Sequence, residues 1–112
     1  RDCLHPKDLA PLFLEQLKDS RREVPRICNL GGGVSNSMSL ASLSAWCSDY
    51  FGPHEVQPDP SERRFDLPWV VMDNSRAKEH WNWEPRTSIN ENLEEIAIFA
   101  EKNPEWSKLT RS

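Results

Sequence analysis

The chain has 112 residues, and its 14 Lys or Arg against 18 Asp or Glu give a net charge of −4. This length predicts one domain, which would bury roughly 65% of the surface that its unfolded chain exposes. The acidic balance argues against nucleic acid as a partner. No apolar run reaches the ~20 residues that a membrane-spanning helix needs, so no membrane association is expected.

Three cysteines are present, an odd number without a C-x-x-C pair. Secreted disulfide frameworks usually have even counts, so the thiols predict a reducing, cytoplasmic location. The Cys and His side chains are scattered rather than spaced as metal ligands, and no metal site is expected. The chain opens with Arg1 and enters motif-like sequence at once, which favours a piece of a longer protein.

The first helix is predicted to begin after Asp8, because Asp is a favoured N-cap residue. Pro11 then lies in the first turn, where its missing N–H is tolerated. Four apolar residues form one face of this helix: Leu9, Leu12, Phe13 and Leu17. Residues 25–30 predict a strand, and the glycines at 31–33 predict a tight turn into the next helix.

A second helix follows, capped by Ser37 or Ser39 and ended by Gly52, a favoured residue type just after a helix. Four residues form its apolar face: Leu40, Leu43, Cys47 and Tyr50. Residues 54–57 then predict a short strand, and residues 58–62 predict a loop.

The short apolar run at 69–72 predicts a buried strand, and Asp, Asn and Ser at 73–75 predict the start of a third helix. This helix should stop at 83–85, because a residue before proline avoids the helical region. A last helix should begin at Ser88, with Glu91 completing a capping box.

Asn-Pro at 103–104 should end this last helix. In chain order the elements predict an α/β layered fold with about four helices and two or three short strands. Large aromatic side chains are mostly core residues. Four tryptophans are therefore predicted to lie in the core: Trp46, Trp69, Trp81 and Trp83.

Two motifs combine basic and acidic residues in a way that suits phosphate chemistry. Residues 1–8 read Arg-Asp-x-Leu-His-x-x-Asp, and residues 63–68 read Arg-x-x-Asp-Leu-Pro. A guanidinium group forms paired, charge-assisted hydrogen bonds to phosphate, which lysine does not. From residue types alone, each motif is more often a surface ion pair or a helix cap. His5 is more often a helix-start or core residue than a catalyst.

With the segments around them, the two motifs resemble the C-terminal end of the extended short-chain dehydrogenase/reductases, the NAD-dependent nucleotide-sugar epimerases and dehydratases. The matching stretch runs from residue 63 through Trp-x-Pro at 83–85 to the last predicted helix. The sequence of residues 65–73 is most similar to the CDP-tyvelose 2-epimerase branch of this family. The resemblance implies that residues 1–112 are the C-terminal substrate-binding portion of an epimerase, without its Rossmann core.

The same resemblance implies a binding site for a nucleotide-diphosphate sugar. Arg1 and Arg63 would hold the diphosphate, and Asp66 would orient Arg63 or contact the ribose. Arg64 competes for this role, but the family spacing of Arg three residues before Asp favours Arg63. The parent enzyme would oxidise a ring hydroxyl with NAD, let the keto-sugar epimerise or rotate, and reduce it again.

The catalytic parts of that enzyme family are not found in this sequence. Tyr50 is the only tyrosine and His54 stands four residues later, so there is no Tyr-x-x-x-Lys pair. The glycines at 31–33 do not complete a dinucleotide fingerprint, since Asn36 stands where a third glycine is needed. We therefore expect no catalytic residue and no cofactor site in this chain. NAD would be bound by a missing N-terminal domain.

Two alternatives remain open. The parent enzyme can be a dehydratase or a 4-epimerase, which share this closing architecture, or the chain can be a stand-alone protein-interaction module. If helix 1 and residues 25–30 pack against a missing nucleotide-binding sheet, some apolar faces are left uncovered and favour a homo-oligomer. Three residues represent these faces: Leu9, Phe13 and Ile27.

Overall fold

The computed structural model describes residues 1–19, 23–59, 61, 65 and 67–106. Their four α-helices are α1 (Leu9–Lys18), α2 (Leu40–Phe51), α3 (Ser75–Trp81) and α4 (Ile89–Lys102). Two 3-10 turns lie ahead of α1 and α2: Pro6–Asp8 and Val34–Asn36. No helix in these ranges combines the length and the hydropathy needed to cross a bilayer.

The predicted α/β class is wrong for the described part of the chain, because its residues build helices and no strand. The predicted strands at 25–30, 54–57 and 69–72 lie in irregular backbone. These residues therefore form no parallel sheet of a Rossmann core. An isolated antiparallel bridge joins Asp2 to Ser37. A strand requires a paired neighbour, and an apolar run that finds none in its own chain does not form a ladder.

Side-chain hydrogen bonds hold two of these irregular segments in place. The amide of Asn74 accepts from the N–H of Gly31 at 2.9 Å and donates to the carbonyl of the same residue at 2.8 Å. The two ring nitrogens of His54 lie 2.9 and 3.0 Å from the hydroxyls of Ser44 and Ser48 on α2. Two predicted strand regions are thus held by side chains instead of by one another.

The first two helices begin where the sequence predicts. α1 starts at Leu9, although the side chain of Asp8 makes no capping hydrogen bond to it. At α2 the hydroxyl of Ser39 accepts from the N–H of Ser42 at 3.0 Å, so the second of the two predicted caps is the one used. Gly52 ends α2 with a φ of 99°, a conformation that side-chain-bearing residues rarely adopt.

The last two helices differ in how well their ends were predicted. α4 carries the predicted capping box, in which Ser88 and Glu91 satisfy each other's backbone N–H groups. α3 ends at Trp81, before the predicted Trp-Glu-Pro stop, because Asn82 adopts a left-handed conformation with a φ of 50°. Asn tolerates this conformation better than most residues and so ends helices.

A small core lies between α1 and α3. Leu12, Ala77 and Trp83 form its centre and are almost completely buried, which confirms two of the predicted core positions. The indole N–H of Trp83 donates to the carbonyl of Asp8 at 2.7 Å and ties the segment after α3 to the start of α1. α4 contributes two further buried apolar residues: Leu93 and Ala97.

Several other residues that were predicted to be core are exposed. Phe13 and Leu17 on α1 are 51% and 83% exposed, and Trp69 is 65% exposed. No residue of α2 is buried, and Trp46 stacks on Tyr50 of the same helix with ring centroids 5.0 Å apart. The described part of the chain therefore leaves these apolar faces uncovered.

The chain exposes more surface than a compact domain of its mass. Its accessible surface is 9482 Å², whereas a folded monomer of 13.0 kDa exposes about 6,300 Å². Its radius of gyration is 17.6 Å, compared with about 13 Å for a compact domain of this length. The exposed apolar side chains contribute to this excess.

Candidate functional site

The N-terminal segment that begins with Arg1 is fixed through its backbone. The carbonyl of Arg1 accepts from the N–H of Met38 at 2.9 Å, and its α-amino group donates to the carbonyl of Met38 at 3.0 Å. Two residues on, the N–H of Cys3 donates to the carbonyl of Asn36 at 2.9 Å. The backbone of Arg1 therefore has a defined position, and the residue as a whole is exposed.

The carboxylate of Asp2 joins three segments that are far apart in sequence. One of its oxygens accepts from the N–H of Gly33 at 3.0 Å and from the N–H of Met72 at 3.3 Å. Hydrogen bonds from backbone donors to an ionised acceptor are stronger than neutral ones. Asp2 thereby places the neighbour of Arg1 against the stretch that follows the second arginine motif.

The glycines at 31–33 allow this close approach. A Cβ atom at Gly31 would overlap the Asp2 carboxylate and the side chain of Met72, and a Cβ atom at Gly32 would overlap the carbonyl of Cys3. Both glycines are buried. No strand precedes these glycines in the ranges that the structure describes, and the next α-helix begins only at Leu40, so they do not form the predicted strand-to-helix turn. Their close contacts are with the chain's own N-terminal segment and with Met72.

Asp8 anchors the other end of the first motif. Its carboxylate accepts from the N–H groups of Arg86 and Thr87 at 3.0 and 2.9 Å and from the Thr87 hydroxyl at 2.8 Å. Burial of Asp8 opposes its ionisation, but the hydrogen bonds from Thr87 and Arg86 outweigh it, so the pKa of Asp8 lies below its ordinary value. The predicted N-cap is in reality a cross-link between α1 and the entry to α4.

The structure describes only one of the three predicted site residues. Arg1 lies at the exposed start of the fixed N-terminal segment. Arg63 and Asp66 lie outside the described residues, so their convergence with Arg1 on a diphosphate stays a prediction. The described geometry does bring Met72, six residues after Asp66, to the residue next to Arg1.

Two curated proteins are similar to this chain over most of its length. CDP-paratose 2-epimerase of Salmonella typhi is 25% identical over 96 residues, which cover 86% of this chain and 28% of that protein. UDP-glucuronate 4-epimerase of Thermodesulfobacterium geofontis (strain OPF15) is 30% identical over 108 residues, which cover 96% of this chain and 32% of that protein. The resemblance to nucleotide-sugar epimerases is confirmed.

The chain spans about a third of the length of the curated relatives it matches. No protein-family model matches it, and no solved structure does so either. The similarity therefore concerns one part of those epimerases.

His5 has a structural position in the first motif. Its Nδ1 accepts from the N–H of Lys7 at 3.0 Å and caps the first 3-10 turn. Its Nε2 lies 3.0 Å from a carboxylate oxygen of Glu95 on α4. Since Nδ1 acts as an acceptor, Nε2 carries the proton and donates to Glu95. The interpretation of His5 as a helix-start residue agrees with this geometry.

One groove borders the N-terminal segment and another lies beside the glycines at 31–33, and both are poorly suited to phosphate. A groove of about 550 Å³ between residues 3–6 and α4 is lined mainly by apolar side chains. A groove of about 430 Å³ beside Gly33 and α3 contains Lys78. The ammonium of Lys78 lies 2.8 Å from the Glu84 carboxylate, and this hydrogen bond raises the pKa of Lys78. The charge of Lys78 is therefore paired with that of Glu84.

Residue types alone assign no role to the polar side chains that join these segments. Asp2 belongs to the first motif, but the motif does not predict its hydrogen bonds to Gly33 and Met72. Asn36 donates to the carbonyl of Thr87 at 3.1 Å and accepts from the N–H of Ile89 at 2.9 Å. The roles of Asn36 and Asn74 are not predictable from the sequence. An Asn that bridges distant backbone groups has the same local sequence features as any other Asn in a loop. Among the described residues no group of three His, Cys, Asp or Glu side chains is placed to hold a metal ion.

Proposed function

We propose that the chain is the C-terminal, substrate-binding portion of an NAD-dependent nucleotide-sugar epimerase. Arg1 and Arg63 bind the diphosphate of the substrate, and Asp66 orients Arg63 or binds the ribose. NAD belongs to the N-terminal portion of the parent enzyme, which also supplies the catalytic groups. The single observation that carries the proposal is the Asp2 carboxylate, which joins the Arg1 segment to the stretch around Met72.

Chain connectivity limits how far apart the two motifs can lie. Asp66 is six residues before Met72, so even a fully extended chain keeps it within about 20 Å of the Asp2–Met72 contact. Arg1 is bonded directly to Asp2. Arg63 is nine residues before Met72, which gives a bound of about 30 Å by the same measure. The connectivity therefore allows both motifs to reach one ligand.

Charge favours the arginines as the diphosphate ligands. Residues 31–57 contain no Lys or Arg, and Met38 of this stretch is hydrogen-bonded to the backbone of Arg1. Lys78, the cation of the neighbouring groove, is engaged by Glu84. The two guanidinium groups offer planar, paired donors that match phosphate oxygens.

Within this class we propose a CDP-sugar 2-epimerase as the parent enzyme. The sequence of residues 65–73 and the similarity to CDP-paratose 2-epimerase support this assignment. A 4-epimerase that acts on a UDP-sugar is the second candidate, since UDP-glucuronate 4-epimerase is similar over more of the chain. A cytoplasmic location belongs to the same proposal, because no disulfide joins Cys3, Cys28 or Cys47 and free thiols suit a reducing compartment.

Calorimetric titration with CDP tests the proposal. We expect CDP to bind the chain, and we expect Arg63→Ala to weaken binding about tenfold to a hundredfold, as the loss of hydrogen bonds to a charged group does. Arg64→Ala is the matched control, because it removes the same charge one residue away and should leave the affinity within about threefold. If CDP does not bind, or if both variants lose affinity equally, the assignment of Arg63 is wrong.

A parallel titration with NAD tests whether the cofactor site lies in the N-terminal portion of the parent enzyme and not in this chain. The chain carries no dinucleotide fingerprint and no Tyr-x-x-x-Lys pair, so we expect no heat of binding with NAD. Tight NAD binding would contradict the placement of the cofactor site in the other portion.

A further inference from the structure

We infer that Trp69 is the surface on which the nucleobase of the substrate stacks. This inference rests on the proposed function. It adds a residue that contributes to affinity through the base of the nucleotide and not through its phosphates. It follows from the exposure of Trp69, from its aromatic isolation and from its place in the chain.

Trp69 is unusual among the tryptophans of the chain. It is 65% exposed, whereas Trp83 is 6% exposed and lies in the core. Aromatic pairs among the described residues include Trp46, Trp81 and Trp106, but none includes Trp69. An indole that packs on no other described ring presents a flat apolar face to water, and such a face can serve as a platform on which a base stacks.

The place of Trp69 in the chain brings this face to the candidate site. Trp69 is three residues after Asp66 and three residues before Met72. Met72 donates its N–H to Asp2, the neighbour of Arg1. Three extended residues cover about 10 Å, so the Trp69 backbone lies within that distance of the Asp2–Met72 contact. A base attached through ribose to a diphosphate held by Arg1 would come within reach of the indole.

Stacking also suits the chemistry of the two similar epimerases. Their names specify a cytidine nucleotide in one case and a uridine nucleotide in the other. A hydrogen-bonding pocket would separate these two bases, whereas an aromatic face accepts either pyrimidine because every base has a π-face. An indole at this position is therefore compatible with either candidate for the parent enzyme.

Calorimetry with two ligands, CDP and inorganic pyrophosphate, tests this inference. We expect Trp69→Leu to weaken CDP binding about tenfold, within the range found when a base loses its aromatic platform. Pyrophosphate has no base, and its affinity should be unchanged in the same variant. Trp69→Tyr keeps a π-face and should restore most of the CDP affinity, which a purely apolar contact would not require.

Trp46→Leu is the control for loss of an indole elsewhere, since Trp46 lies on α2 and stacks on Tyr50 of the same helix, and it should bind CDP like the wild type. Thermal melts of all variants verify that the fold is kept. If Trp69→Leu binds CDP as the wild type does, the stacking role is overturned while the diphosphate site stands. If the wild type binds neither CDP nor pyrophosphate, the proposed function and the stacking role both fail.

Discussion

Asp8 shows how a single carboxylate can support a fold with a small core. It is almost completely buried and accepts three hydrogen bonds from Arg86 and Thr87. Asp8→Ala leaves those donors without a partner, and we expect a loss of about 2–4 kcal/mol in the free energy of unfolding. Urea unfolding followed by circular dichroism measures this loss. Asp49→Ala is the control, because Asp49 is exposed on α2 and its removal should change stability by less than about 0.5 kcal/mol.

The pH dependence of Asp8 has a defined sign. Its pKa in the folded chain lies below the ordinary value of 3.8. The stabilisation is therefore fully present above that value and is lost as the pH falls through the folded pKa. The difference in stability between the wild type and Asp8→Ala should be constant at neutral pH and should shrink in strong acid. A difference that grows on acidification would contradict the assignment.

The site was predicted from sequence only where a side chain belongs to an ordered motif. Arg1 was singled out because it stands with Asp2, His5 and Asp8 at fixed spacing. The actual partners of Asp2 and Asp8 were not predictable, because they are backbone N–H groups more than thirty residues away. Any loop can offer such donors, and only the folded chain decides which loop it is.

Among the helices, α4 has the start that is most clearly marked in the sequence, by the capping box of Ser88 and Glu91. Ser88 accepts from the N–H of Glu91, and the Glu91 carboxylate accepts from the N–H and hydroxyl of Ser88, which lowers the pKa of Glu91. We expect Ser88→Ala to lower the free energy of unfolding by about 1 kcal/mol. Asn90→Ala changes the neighbouring turn without touching the box and should be nearly neutral. Equal losses for the two variants would contradict the role of the cap.

Helices and strands differed in how far the sequence predicted them, for a physical reason. The starts of α2 and α4 depend on Ser39 and Ser88 and on residues within one turn of them, so a short stretch of sequence contains all the information. Residues 25–30 and 69–72 have strand-like composition, but a strand also needs a neighbour that pairs with it. Within the described residues Asn74 and Asp2 supply the bonding instead.

The whole molecule exposes more surface than a compact monomer of its mass. Its excess over a compact monomer is roughly 3,000 Å², from the accessible surface of 9482 Å². That excess is larger than the 1,200–2,000 Å² or so that a standard protein interface buries. Exposed apolar residues on α1 and in residues 25–30 contribute to it, among them Phe13 and Ile27 at 51% and 75% exposure.

We therefore expect the isolated chain to associate with itself as its concentration rises. Phe13→Glu should shift this equilibrium toward the monomer, since a carboxylate in an apolar contact is strongly disfavoured. Ala10→Glu adds the same charge to the same helix at another exposed position and should have little effect. Sedimentation velocity over a range of concentrations measures the shift. A wild-type chain that stays monomeric throughout would show that these faces do not drive association.

In the proposed function, two arginines far apart in sequence bind one diphosphate. A double-mutant cycle tests whether they share this ligand, with CDP affinity measured by calorimetry for Arg1→Ala, Arg63→Ala and the double variant. We expect each single substitution to weaken CDP binding about tenfold or more, with a coupling energy of about 0.5–3 kcal/mol between them. The affinity for cytidine, which lacks the phosphates, should not change. CDP binding that neither substitution weakens would contradict the claim.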